Sequence, residues 1–274
     1  MSYETIVVER RDRAACIRLD RPEVLNAIDD RMISEVNDAA QALEADPEVW
    51  TLIVTGTGRA LCVGADVNKA GVAEKGNYTS GIDAQGDELL SSVRQWDAPQ
   101  EATLPYLGMA KPVICAVNGI CAGAGLDLVT TSDIVIASDD ATFFDPHVSI
   151  GVASAREAIR LARVLPLNIT MRLALMGKHE RMTAQRAFDL GLVSEVVPAG
   201  ELMDRAWEIA AVVNRNAPLA VRGTRLAIRR GIDLPLHEAE IMAEAFRERV
   251  VRTDDAKEGP AAFMEKRTPK WTGR

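Results

Sequence analysis

Short runs of β-branched and aliphatic residues alternate with stretches in which apolar positions recur every three or four residues, the pattern of strands interleaved with helices. Residues 5–8 and 14–19 read as early strands, and 50–55 (WTLIVT) as a buried strand ending at the Gly56-Thr57-Gly58 turn. Residues 113–117 (VICAV) and 133–137 (DIVIA) read as two more. Between the second and third strands, Met32, Ile33, Val36, Ala40 and Leu43 share one helical face behind a cap at Asp29 or Asp30. Repeated strand–loop–helix units predict an α/β sheet with ligand chemistry at the strand ends. Gly71, Gly76, Gly81 and Gly86 punctuate a stretch without periodicity, which predicts a mobile loop, either a cover for a site or a solvated connection.

From Gly151 onward the spacing is helical. Ser154-x-x-Glu157 predicts a capping box ahead of Ile159, Leu161 and Leu165, and Thr183 a cap for a short helix stopping at Gly191. Residues 201–214, 219–230 and 236–251 read as amphipathic helices, with no fresh strand after 193–197. The expected organisation is therefore an α/β core over residues 1–200 and a helical region over 201–274, whose apolar faces serve its own core or a neighbouring subunit.

Composition narrows the chemistry. The chain has 274 residues, 47% hydrophobic and 26% charged, which excludes disorder and leaves enough length for a large core. A net charge of −8 and only 4% aromatic residues argue against nucleic-acid binding, which needs clustered cations and stacking platforms. The opening MSYETIVVERRDR lacks the apolar run of a secretory leader, and the longest uncharged stretch, residues 112–126, is too short for a membrane span of about 20 residues. Four cysteines without ligand or disulfide spacing (Cys16, Cys62, Cys115, Cys121) suggest a reducing cytoplasm and no zinc site. Three histidines (His147, His179, His237) limit what can do acid–base work near neutral pH. His179 and His237 have no motif around them, and Met171, Met176, Met182 and Met203 read as core filler.

Two turns stand out. One is Arg59-Ala60-Leu61-Cys62-Val63-Gly64-Ala65-Asp66-Val67, just after the WTLIVT strand; the other is residues 111–128, KPVICAVNGICAGAGLDL. Small residues at 122–125 allow close approach to the backbone, and a helix starting there would present free N–H groups to negative charge. A dinucleotide fingerprint fails because its third glycine would fall at Leu128, and a P-loop fails for want of a GK[ST] triplet.

These segments, with three others in order, resemble the crotonase superfamily, the enoyl-CoA hydratase/isomerase family. The others are residues 19–28 (LDRPEVLNAI), 131–137 (TSDIVIA) and 255–267 (DAKEGPAAFMEKR), so the resemblance spans nearly the whole chain. It implies a spiral of ββα units, assembled as a homotrimer or dimer of trimers, that binds an acyl-CoA; coenzyme A enters with the thioester substrate and no cofactor is held permanently. It also implies an oxyanion hole for the thioester carbonyl, and position by position its two amides belong to Cys62 and Ala124. The two acidic positions of the family's hydratases fall on Asp127 and His147, an atypical pair. A neighbouring carboxylate, Asp127 or Asp145, would orient His147, although Asp145 also suits a turn before Pro146.

For the coenzyme, Arg21, Lys266 and Arg267 are candidate phosphate contacts, and the backbone from Ala60 through Cys62, Gly64 and Ala65 to Asp66 is the candidate cradle. The expected activity is reversible hydration of a 2-enoyl-CoA. The alternatives are isomerisation, thioester or C–C hydrolysis, or a CoA-binding homologue without turnover.

Overall fold

The computed structural model describes residues 3–66 and 109–274. The glycine-punctuated loop expected around residues 71–86 lies outside the described residues. Strands β1 (Ile6–Arg11) and β2 (Ala14–Leu19) form an antiparallel pair. β2 continues in parallel through β3 (Thr51–Gly56), β5 (Val113–Val117), β7 (Ile134–Ser138) and β10 (Glu195–Val197), giving a six-stranded sheet. Every residue of β3 and β5 is buried, as expected of parallel strands covered on both faces.

The two faces divide the strands at a period of two. Ala15, Ile17, Leu52, Val54, Val113, Cys115, Val135 and Ala137 enter the main core, where they meet Met32, Val36, Ala40 and Leu43 of α1 (Asp30–Ala45). Ala14, Cys16, Ile53, Ile114, Ala116 and Ile136 face the other way. Asp29 caps α1, accepting from Met32 N at 2.9 Å. At its other end the fully buried Lys111 donates from Nζ to the Asp46 carbonyl at 2.7 Å and to that of Leu43, satisfying acceptors a helix terminus leaves open.

A second, four-stranded sheet is built from very short strands, β4 (Ala60–Cys62), β6 (Ile120–Ala122), β8 (Thr142–Phe144) and β9 (Met182–Thr183). Each of β4, β6 and β8 follows a strand of the large sheet after a tight turn, so β3–β4, β5–β6 and β7–β8 are successive rungs of a spiral. Two asparagines lock the first turn. Asn26, fully buried with φ 56°, donates from Nδ2 to the carbonyls of Thr57 (3.0 Å) and Ala60 (2.8 Å). Asn118 donates to those of Gly58 (2.9 Å) and Ala60 (3.2 Å) and accepts from Gly56 N at 3.0 Å.

Helices follow: α2 (Ala124–Thr131), α3 (Arg156–Leu161), α4 (Leu167–Met176), α5 (Ala184–Asp189), α6 (Leu202–Val213), α7 (Pro218–Gly231), α8 (Leu236–Val250) and α9 (Asp254–Met264). Thr183 caps α5 as expected, accepting from Arg186 N. The capping box expected at Ser154-x-x-Glu157 does not form: the cap residue of α3 is Ala155, without a side-chain bond, because the Ser154 hydroxyl is drawn to Asp145. Met171 and Met176 are exposed rather than core filler, whereas Met182 is buried. His179 and His237 are both exposed.

The helical region divides differently from the expected boundary at 200/201. Leu202, Ala206, Trp207 and Ala210 of α6 cover the second face of the large sheet, so α6 completes the core. Beyond it, α7 and α8 pack on each other while Ile228, Ile232, Leu236 and Ile241 stay exposed, as do Phe263 and Met264 at the end of α9. Among the described residues, no helix is long and apolar enough to cross a membrane.

Candidate active site

Three backbone segments converge where the spiral's rungs meet. β4 ends at Cys62, opposite Cys121 of β6, and β6 runs through Ala122 into α2. Gly64 (φ 97°) and Gly123 (φ 51°) adopt conformations that L side chains rarely take. They also abut: a Cβ on Gly64 would stand 3.4 Å from Ala124 N, and one on Gly123 would stand 3.4 Å from Gly64 Cα. The same position on Gly123 lies 3.8 Å from Cε1 of His147, which brings the third segment to the start of α2. Ala124 is the first residue of that helix, so its N–H has no acceptor within the helix.

The candidate loop is held from behind. Ile28 N donates to Gly64 O and Asp66 N to Ile28 O, both at 2.8 Å. Arg21 is 6% exposed and binds inward: Nη2 reaches Asp66 Oδ2 at 3.0 Å, and Nη1 reaches Asp29 Oδ2 at 3.1 Å and the Ala27 carbonyl at 2.6 Å. The expectation that Arg21 meets a coenzyme phosphate is corrected accordingly, since its guanidinium clamps the N-terminal turn to the Gly64–Asp66 backbone. Arg267 pairs with Glu258 and Glu265, while Lys266 lies exposed just after α9.

Asp127 sits in the first turn of α2, fully buried, with Arg160 Nη1 of α3 2.7 Å from its Oδ1. This is close ionic contact without the alignment of a good hydrogen bond, so both carboxylate oxygens keep acceptor capacity. Burial pushes the Asp127 pKa up and the nearby Glu157 adds to it, against the pull of Arg160. His147 opens a short 3₁₀ turn after β8, and its carboxylate partner is Asp145, not Asp127: Nδ1 lies 2.5 Å from Asp145 Oδ1. The Asp145 hydrogen bond raises the His147 pKa against the opposing effect of burial. For Asp145, burial pushes upward, but hydrogen bonds from His147 and Ser154 prevail and the pKa is lowered. Both acid–base candidates are therefore shifted upward, and they are coupled, because the Asp127 carboxylate also helps to hold the His147 proton.

Cys62 contributes no nucleophile: burial pushes its thiol up to about 12, leaving it protonated near neutral pH. Among the described residues no group of three or more His, Cys, Asp or Glu comes together in a way that could hold a metal ion.

A family model described as "Enoyl-CoA hydratase/isomerase" matches residues 9–274. The chain belongs to the enoyl-CoA hydratase/isomerase family. "Probable enoyl-CoA hydratase echA8" of Mycobacterium bovis is 34% identical over the whole of both chains. "Carnitinyl-CoA dehydratase" of Proteus mirabilis is 34% identical over 94% of each. The crystal structure of an enoyl-CoA hydratase/isomerase from Mycobacterium paratuberculosis, 57% identical and covering 100% of both chains, superposes with a TM-score of 0.86. The crotonase fold and an acyl-CoA enzyme's chemistry follow from this membership.

Sequence reasoning missed Arg160, Glu157 and Ser154 as neighbours of the candidate site. The available signal was Glu157 and Arg160, charged residues three apart on a short helix and therefore on one face. Arg160→Met leaves Asp127 buried without its cation and is expected to destabilise the fold by about 3 kcal/mol. Adding Asp127→Asn should recover most of that loss, which paired urea titrations of the single and double variants measure.

Proposed function

We propose that the chain is an enoyl-CoA hydratase, adding water reversibly across a 2-enoyl-CoA. In this reading the thioester oxygen accepts from the backbone N–H groups of Cys62 and Ala124. Water attacks C3 and loses a proton to one member of the Asp127/His147 pair as the π electrons move onto that oxygen. The enolate then returns its electrons to C2, which takes a proton from the pair, and the oxyanion amides stabilise the charge in between by about 3 kcal/mol each. The observation that carries this reading is the contact of the Gly64 turn, the start of α2 and the His147 ring at one point.

The coenzyme would lie along the backbone from Ala60 to Asp66, with exposed Lys266 a candidate for its phosphates. The exposed apolar rows of α7, α8 and α9 fit a homotrimer or a dimer of trimers, and the protein would work in the cytoplasm without a permanently bound cofactor. A second reading, thioester hydrolysis, draws support from the Asp145–His147 contact, which would let the imidazole activate water against the carbonyl carbon itself.

Steady-state assays on 2-enoyl-CoA, 3-enoyl-CoA and saturated acyl-CoA esters separate the reactions. Loss of the conjugated enoyl absorbance without release of free thiol supports hydration. Thiol release from the saturated esters supports hydrolysis, and CoA binding without turnover of any ester would reject both.

A further inference from the structure

We propose that Asp145 and Ser154 are positioning residues that hold His147 in the tautomer protonated at Nδ1, leaving Nε2 as its proton-transfer atom. This deepens the hydratase reading and rests on it for the identity of the reaction, but the arrangement itself is visible without any substrate.

Asp145 is fully buried at the end of β8, and both of its oxygens are engaged. Oδ1 accepts from His147 twice, from the backbone N–H at 3.1 Å and from Nδ1 at 2.5 Å. Oδ2 accepts from the Ser154 hydroxyl, which approaches from beyond the 3₁₀ turn. With one oxygen tied to the backbone and the other to a second loop, the carboxylate cannot rotate about its own bond, so its plane is fixed relative to the ring. An ionised carboxylate is an acceptor only, and the ring nitrogen facing it must carry the proton. A neutral His147 then presents a lone pair at Nε2, and a protonated one presents N–H there.

The groups around the ring are consistent with this assignment. Asp127 from α2 and Glu157 from α3 are the further carboxylates that act on His147, and both tend to hold its proton as Asp145 does. Arg160 lies against Asp127, and among the described residues the hydrogen bond that orients the imidazole is the one to Asp145. Ser154 acts one step further out, through Asp145, and its departure from the expected helix cap is the structural trace of that role.

The test uses the full chain labelled with [15N]histidine. Only three histidines contribute signals, and the pair that disappears in His147→Gln belongs to His147. Above its titration, the wild-type ring is expected to show Nδ1 protonated and Nε2 bare. In Asp145→Asn the midpoint should fall, and kcat should drop by about 10²–10⁴-fold with little change in KM. The corresponding limb of the kcat pH profile should move to lower pH, whether His147 serves as base or as acid, because the raising partner is gone. Ser154→Ala should mix the two tautomers and lower kcat roughly 10-fold, while Ser154→Thr, which keeps the hydroxyl, should restore both.

A wild-type ring protonated at Nε2 overturns the assignment. So does a tautomer and pH limb unchanged in both Asp145→Asn and Ser154→Ala. If the tautomer behaves as expected while no enoyl-CoA turns over, the hydratase reading falls and the positioning assignment stands.

Discussion

His147→Ala is expected to lower kcat/KM for a 2-enoyl-CoA by about 10²–10⁴-fold while leaving coenzyme A affinity close to that of the parent chain. The ring is only partly buried, and its polar bond to protein is with Asp145, so removing it uncovers little apolar surface. The two backbone donors of the proposed oxyanion hole are untouched by the change, and binding energy from the coenzyme should survive. The loss should therefore fall on kcat. A variant with full turnover would show that no proton passes through the imidazole; a variant that loses CoA affinity in step with turnover would show that His147 holds the site's shape instead. Equilibrium binding of CoA beside steady-state kinetics distinguishes these.

Gly125→Ala is the more severe test of the site's architecture. A Cβ at residue 125 would stand 2.5 Å from the Cys62 carbonyl oxygen and 3.2 Å from the Cys62 carbonyl carbon, so β4 and α2 must move apart to admit it. Both neighbours are main-chain elements inside the core, and such overpacking typically costs about 1–3 kcal/mol. The displacement also separates the Cys62 and Ala124 amides, which in the proposed oxyanion hole act together only at a set spacing. A shift on the order of 1 Å is expected to lower kcat by about 10²-fold. The measurement is kcat at a temperature where circular dichroism shows the folded state, with Gly200→Ala, where nothing lies within 4 Å of the new carbon, as the control. Equal activity in the two variants would mean that the distance between those turns does not matter to the reaction.

The large sheet could be read from the chain because its strands are long enough to show a run of apolar residues. β2 and β5 fall on the expected residues, and β3 and β7 are displaced by one. The second sheet was not legible in that way. Strands of two or three residues, such as Ala60–Cys62 and Ile120–Ala122, carry no period, and only pairing with one another defines them. Helix α9 was missed for a different reason: Gly259 and Pro260 interrupt its pattern, while the Thr253 cap that starts it is a local signal too short to outweigh them. In the site, the family motifs pointed to Cys62, Ala124, Asp127 and His147. The choice between Asp127 and Asp145 as partner of the imidazole needed three dimensions, because it depends on Arg160 arriving from another helix. Arg21 shows the converse, since a cation inside a motif suggested a ligand contact and burial between two carboxylates gave it an internal duty.

The carbonyl of Ala60 has a consequence for accuracy. Two side-chain amides converge on it, one from Asn26 in the N-terminal turn and one from Asn118 between β5 and β6. Positional error measured along a chain grows with every residue, and these two segments are far apart in sequence. Here both are gauged from a single oxygen atom two residues before Cys62, and Asn118 stands six residues before Ala124. The uncertainty between the two candidate donors is thus set by the tolerance of a hydrogen bond and a few peptide units, instead of by the sum of drifts through a whole sheet.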